Sequence, residues 1–98
     1  MIEYSYTVDM IENSNNGRAV TIAKKAADCL RGECTAARMS QEKLADIVGV
    51  QRGTVNQWIN TGQMKLEKFI EVAMAVGAEP HEIIRRAEAL ASKEGEGR

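Results

Sequence analysis

Aromatic residues, proline, cysteine and histidine are all scarce in this chain. Its 98 residues include one Trp, two Tyr, one Phe, one Pro, two Cys and one His. Cys29 and Cys34 lie five positions apart in a segment that reads as helix, where they point in different directions, so we expect reduced thiols and no disulfide. His81 stands far from both, which leaves no ligand set with metal spacing. We therefore expect neither a metal nor a cofactor.

Long apolar runs and a basic N-terminus are also missing. No run approaches the roughly 18 apolar residues of a membrane span. The first 17 residues carry three acidic side chains and no Lys or Arg, unlike a secretory signal. We expect a cytoplasmic protein with no membrane partner. The 44% apolar and 28% charged composition suits one globular domain with a modest core, of a size that a partner subunit commonly reinforces.

Catalytic motifs are not recognisable either. The chain has no Ser-His-Asp or Cys-His set, no paired-carboxylate motif and no Gly-rich phosphate loop. These are the arrangements that acyl transfer, glycoside hydrolysis and nucleotide chemistry require. We therefore expect a protein that is not an enzyme.

Acidic residues are absent from one stretch in particular. The formal net charge of −1 argues against a strongly basic nucleic-acid binder. However, residues 18–76 hold nine basic and six acidic side chains, and no Asp or Glu occurs from Ile47 through Leu66, the stretch that contains Arg52 and Lys65. Such a surface can approach phosphates. A solvated face that lacks acids by chance is the alternative.

The first 17 residues read as an extended leader. Ile2, Tyr4, Tyr6 and Val8 alternate with polar residues, which is typical of a half-buried strand. The turn-forming residues 13–17 (NSNNG) then mark its end. A strand of this kind needs a partner, so the leader is a candidate surface for dimerisation or for binding another protein.

Helical periodicity runs through the rest of the chain. We expect an all-α domain of five helices over residues 18–93 and a frayed tail over residues 94–98. Ser40 is a suitable N-cap for the second helix, Gly49 supplies the following turn, and Pro80 fits the first turn of the fifth. The side chains expected in the core are, helix by helix, Val20, Ala23, Ala27 and Leu30; Leu44, Ala45, Val48 and Val50; Val55, Trp58 and Ile59; Leu66, Phe69, Ile70, Ala73 and Met74; and Ile83, Ala87, Leu90 and Ala91.

Residues 41–60 (QEKLADIVGVQRGTVNQWIN) have the pattern of a helix-turn-helix motif. Small Ala45 lets two helices cross closely, and Gly49 allows the turn. A helical wheel places the apolar residues of the second of these helices on one arc. The opposite arc carries Gly53, Asn56, Gln57 and Asn60, and Arg52 projects from the start of the helix. Arg can donate twice to guanine, and Asn or Gln can pair with adenine. A plain solvated face is the alternative, although such faces usually favour Lys and Glu.

From about Leu30 to Arg86 the chain resembles the phage repressor and Cro family of helix-turn-helix proteins. The similarity is carried by MSQEKLADIVGV, TVNQWINTG and FIEVAMAVGAEPHEII. It implies a lambda repressor-like fold and a transcription regulator, repressor or activator, that binds a near-palindromic double-stranded DNA operator as a homodimer. The resemblance implies base reading by Gln51, Arg52, Gly53, Asn56 and Gln57, and phosphate contacts by Gln41, Asn60, Thr61 and Lys65.

The sequence departs from this family in three places. Gln51 stands where Ser or Thr often caps the recognition helix, Gly53 removes a side chain that would normally read a base, and the acidic leader matches nothing in the family pattern. The leader and the apolar face of the fifth helix are the two surfaces that could supply the dimer contact, and we expect a dimer that uses both. A second hypothesis is an antitoxin whose leader binds a toxin while the helical domain represses its own operon.

Overall fold

The computed structural model describes residues 2–96, and the side chains of residues 16–93. Five helices lie in this range, and none of its residues forms a strand. The helices are α1 (Ile2–Ala36), α2 (Gln41–Val48), α3 (Arg52–Thr61), α4 (Leu66–Ala75) and α5 (Pro80–Glu96). The prediction of an all-α protein with five helices is confirmed. α5 continues to Glu96, so the tail predicted to fray from residue 94 is helical through residue 96, and its last two residues lie outside the described range.

The extended leader is the main correction to the sequence-based expectation. The strand predicted over Ile2 to Val8 is wrong, because α1 runs without a break from Ile2 to Ala36. An alternation of four apolar residues is a short signal, and a lone strand leaves its backbone groups unpaired, whereas a helix pairs them internally. The turn-forming residues 13–17 are carried inside the helix, where Gly17 costs up to about 1 kcal/mol relative to Ala.

The start of α2 and the turn after it follow the sequence prediction. The backbone N–H of Lys43 donates to Ser40 Oγ at 3.1 Å, which makes Ser40 the N-cap. Gly49 ends α2 with a φ of 75°, a left-handed conformation that favours glycine. The N–H of Val50 then donates to the carbonyl of Ala45 at 2.9 Å. The two helices of the motif are therefore joined by a tight turn, whose first two N–H groups, those of Gly49 and Val50, both bond to the carbonyl of Ala45.

A second glycine fixes how the end of α3 lies against α1. Gly62 has a φ of 75° and donates its N–H to the Trp58 carbonyl at 2.7 Å. A Cβ at this position would lie 2.6 Å from the backbone oxygen of Ala23. Because no side chain fits there, Gly62 lets the backbone of α3 reach the backbone of α1.

The core draws one large side chain from each helix. The largest fully buried side chains are Leu30, Leu44, Val55, Val72 and Ile83, which come from α1 to α5 in turn. Smaller residues, among them Ala26, Ala45, Ala73 and Ala87, fill the spaces between them. This arrangement packs α3 against both α1 and α2, so that one arc of α3 is buried and the other is left outside.

Several residues predicted to lie in the core are exposed instead. Leu66, Ile70 and Met74 of α4 are 70%, 37% and 67% exposed, and Val72, which was not predicted, is buried in their place. α4 is apolar on two overlapping arcs, and the arc of Phe69, Val72 and Ala73 faces the core. Val20 and Leu90 are also largely exposed, and Val50 and Trp58 pack only partly buried against the core.

Candidate nucleic-acid interface

The outward arc of α3 is polar, as the helical wheel predicts. Val55 and Ile59 are buried, while the remaining arc carries exposed residues. All the predicted base-reading residues lie on the exposed surface: Gln51, Arg52, Gly53, Asn56 and Gln57. α3 therefore presents Arg and amide side chains to the solvent along one side.

Four of the predicted site residues meet at one place. Gln41, at the start of α2, lies in a shallow depression together with Arg52, Gly53 and Asn56 of α3. Ser40 positions Gln41 by capping α2, and the Gly49 turn brings the start of α3 beside it. The residue expected to hold a phosphate thus lies next to residues expected to read bases. Gln51 and Gln57 are exposed but do not line the depression.

Gly53 is not required by the fold. A Cβ built at this position meets no atom within 4 Å, and its φ lies outside the left-handed region. This distinguishes it from Gly49 and Gly62, whose φ values of 75° call for glycine. The bare backbone at Gly53 therefore opens a close approach to α3 from outside.

Three residues outside the depression are expected to bind phosphates, and they differ in whether a side-chain donor is left for a phosphate oxygen. Lys65 precedes α4, and its exposed side chain makes no ion pair or hydrogen bond with the residues whose side chains are described. Thr61 Oγ1 donates its only proton to the Gln57 carbonyl at 2.7 Å and accepts the Gln63 N–H at 3.1 Å. Because Thr61 closes the end of α3, it has no proton left to donate to a phosphate oxygen.

Asn60, the third of these residues, is tied to another helix. Its Oδ1 accepts a hydrogen bond from Arg31 Nη2 of α1 at 3.1 Å, and the same nitrogen donates to the carbonyl of Ile59 at 3.3 Å. Arg31 was not among the sequence-predicted site residues. It lies 29 positions before Asn60, and no local pattern in the sequence connects the two.

Charged residues pair differently on the two sides of the molecule. On α4 and α5, Lys68 pairs with Glu71 at 2.9 Å and Arg86 pairs with Glu33 of α1 at 2.8 Å. These hydrogen bonds raise the pKa of Lys68 and of Arg86. Arg52, by contrast, has no carboxylate partner among residues 16–93. Its charge is therefore available to an external anion.

Comparison of the chain with family models, with curated proteins and with solved structures gave no match. Within residues 2–96, no helix combines the length and the apolar character that crossing a bilayer needs. The candidate interface is thus defined by its own geometry: an exposed, acid-free arc of α3, the adjoining start of α2, and Arg52 and Lys65, which have no carboxylate partner among residues 16–93.

Proposed function

We propose that this protein is a sequence-specific double-stranded DNA-binding transcription regulator that acts in the cytoplasm. One observation carries the proposal: Gln41 of α2 and Arg52, Gly53 and Asn56 of α3 line the same exposed depression. This is the arrangement in which a recognition helix enters the major groove while the preceding helix crosses the backbone. The resemblance to phage repressors, with its lambda repressor-like fold, points to the same function.

In this proposal α3 reads the major groove. Arg52 donates to guanine O6 and N7, and the amides of Asn56 and Gln57 pair with adenine. Gly53 lets the start of α3 come close to the bases. Gln41, Asn60 and Lys65 bind phosphates on either side, which sets the position of the helix without reading the sequence.

A repressor-type regulator of this kind binds as a homodimer, and we place the contact between the two copies on α4. The fifth-helix face expected to supply it is largely buried, because Ile83, Ala87 and Ala91 belong to the core. Leu66 and Met74 are the more exposed apolar side chains. They flank Ile70 at four-residue spacing on one face of α4, so a two-fold axis at Ile70 brings Leu66 against the partner subunit's Met74.

Selection of bound sites from a random pool of duplex DNA tests the function. The expected result is a near-palindromic site with half-sites about 10 base pairs apart, centre to centre. A protein in which Arg52 and Gln57 are both replaced by Ala is the matched control, and it should enrich no sequence. If the natural protein and this control return the same unenriched pool, the proposed function is refuted.

A function in binding another protein is supported by one specific feature, the N-terminal part of α1. The side chains of residues 16–20 are all exposed, and the helix continues N-terminal to them, away from the core residues of α1, which begin at Ala26. This is the segment that the antitoxin hypothesis assigns to a toxin. A pull-down with the full chain and with a variant lacking residues 2–16 tests the antitoxin hypothesis. An antitoxin should capture a protein that the shortened variant does not, whereas a regulator without a protein partner should capture the same proteins with either chain.

A further inference from the structure

The C-terminal end of α3 is held by a residue from a different helix. The last turn of α3 contains no basic residue of its own. Arg31 of α1 supplies one: its Nη2 donates to the Ile59 carbonyl at 3.3 Å and to Asn60 Oδ1 at 3.1 Å. A cation at this point faces the carbonyl end of the helix, which carries a partial negative charge.

The contact with Arg31 decides which way the amide of Asn60 is oriented. A guanidinium only donates hydrogen bonds, so the amide must turn its oxygen, and not its nitrogen, toward Arg31. The Nδ2 group of Asn60 makes no hydrogen bond with the residues whose side chains are described, and the side chain is exposed. Its two N–H donors are therefore free for an acceptor from outside.

A phosphate oxygen is an acceptor that matches these donors. With the opposite orientation, the amide oxygen would face the phosphate and repel it. We propose that Arg31 is a positioning residue for DNA binding: it holds Asn60 so that the Nδ2 donors bind a backbone phosphate at the end of α3. This inference rests on the proposed DNA-binding function.

The charge of Arg31 itself has a smaller part in this arrangement. Asp28 Oδ1 lies 3.7 Å from Arg31 Nη1 on the same helix, so the guanidinium already faces a carboxylate. Arg31 could act through Asn60, or it could bind a phosphate directly. The salt dependence of DNA binding distinguishes these two roles. Removing a cation that neutralises a phosphate lowers the slope of log K against log salt by about 0.9, whereas losing the oriented amide leaves that slope unchanged.

A double-mutant cycle on DNA affinity tests the proposal. The variants are Arg31→Met, Asn60→Ala and the two together, and the probe is a random-sequence duplex of about 20 base pairs, which needs no knowledge of the operator. We expect each single change to weaken binding about threefold to tenfold, the loss of one hydrogen bond. The affinity of the double variant should be no lower than that of the single variant that binds more weakly. Its slope of log K against log salt should equal that of the natural protein.

Arg85→Met is the matched control. Arg85 is an exposed arginine that also pairs with an acid three positions away, Glu82, but lies on α5. We expect its replacement to leave the affinity unchanged. Thermal unfolding of every variant identifies any loss of affinity that comes from loss of the fold.

The outcomes separate the inference from the function on which it rests. Three results would overturn the inference while DNA binding stands. The losses of binding free energy in the two single variants could add fully in the double variant, Arg31→Met could lower the salt slope by about 0.9, or Arg31→Met could leave the affinity unchanged. Each result would mean that Arg31 does not act through Asn60. If the natural protein does not bind the duplex even at low salt, the proposed function fails and the inference fails with it.

Discussion

α3 and α4 are helices of ten residues each that pack into the same core, yet their outer faces differ in chemistry. The outer face of α3 carries Arg and amides and no acid. The outer face of α4 carries the exposed apolar residues Leu66, Ile70 and Met74, beside Glu67 and Glu71. The need to bury one arc is common to both helices, so the core does not explain the difference. We propose that the difference reflects the partner of each outer face: a polyanion with polar base edges for α3, and an apolar protein surface for α4.

The largest effect expected from breaking this arrangement is on the fold, at the end of α3. Gly62→Ala should lower the free energy of unfolding by about 3 kcal/mol, because the left-handed φ costs about 1 to 2 kcal/mol and the methyl group displaces the backbone at Ala23. Gly77→Ala is the matched control, since Gly77 has a φ of 78° and open space around it. Gly77→Ala should lower the free energy of unfolding only by the cost of the left-handed φ, about 1 to 2 kcal/mol. Equal losses in chemical denaturation would show that α3 does not rest on α1 as described.

Removing the polar side chains of α3 should abolish the selectivity of that face. We expect Arg52→Ala and Gln57→Ala each to weaken binding to the selected operator by about 1 to 3 kcal/mol, the discrimination carried by a bidentate base contact. Binding to random DNA should weaken less, as measured by titration of both duplexes. Equal losses on the two DNAs would mean that these residues do not read bases.

The corresponding change on α4 should affect self-association and not the fold. Leu66→Ser should weaken the dimer by about 1 to 2 kcal/mol, part of the free energy of burying a leucine side chain. The free energy of unfolding of the monomer should change by no more than about 0.5 kcal/mol. Sedimentation measurements at several concentrations test this, with Ile47→Ser, at an exposed position of α2, as the control. An unchanged dimer in the first variant would remove α4 as the contact.

A smaller change separates function from stability within α3. Gly53→Ala should raise the free energy of unfolding by about 0.5 to 1 kcal/mol, because alanine favours the helix and meets open space. If the bare backbone approaches DNA, the same methyl group should weaken operator binding by about 1 kcal/mol or more. Denaturation and DNA titration of one variant give both values. A stabilised variant with full affinity would show that DNA does not come close to this position.

The features that could be predicted from the sequence are those decided by neighbouring residues. The N-cap at Ser40, the turn at Gly49 and the start of α5 at Pro80 follow from local chemistry. The outward arc of α3 was also predictable, because Val55 and Ile59 leave a single apolar arc on that helix.

The errors arise where the outcome depends on distant parts of the chain. α4 has two apolar arcs, and only packing against the other helices determines which of them is buried. The leader shows alternation, but no strand among residues 2–96 is present to pair with it. The link from Arg31 to Asn60 depends on how α1 crosses the end of α3, and the sequence contains no local signal of it.

The central claim is that the outer face of α3 binds DNA and that of α4 does not. The most direct test is to add a DNA duplex to the isotope-labelled protein and to follow the backbone amide signals of the protein by NMR. At protein concentrations where the dimer has already formed, the account predicts shifts that rise with DNA concentration at Gln41, Arg52, Gly53 and Asn56, while the outer α4 positions Ile70 and Met74, away from Lys65, stay unchanged. Shifts centred on α4, or no saturable shift on α3 at low salt, would contradict it.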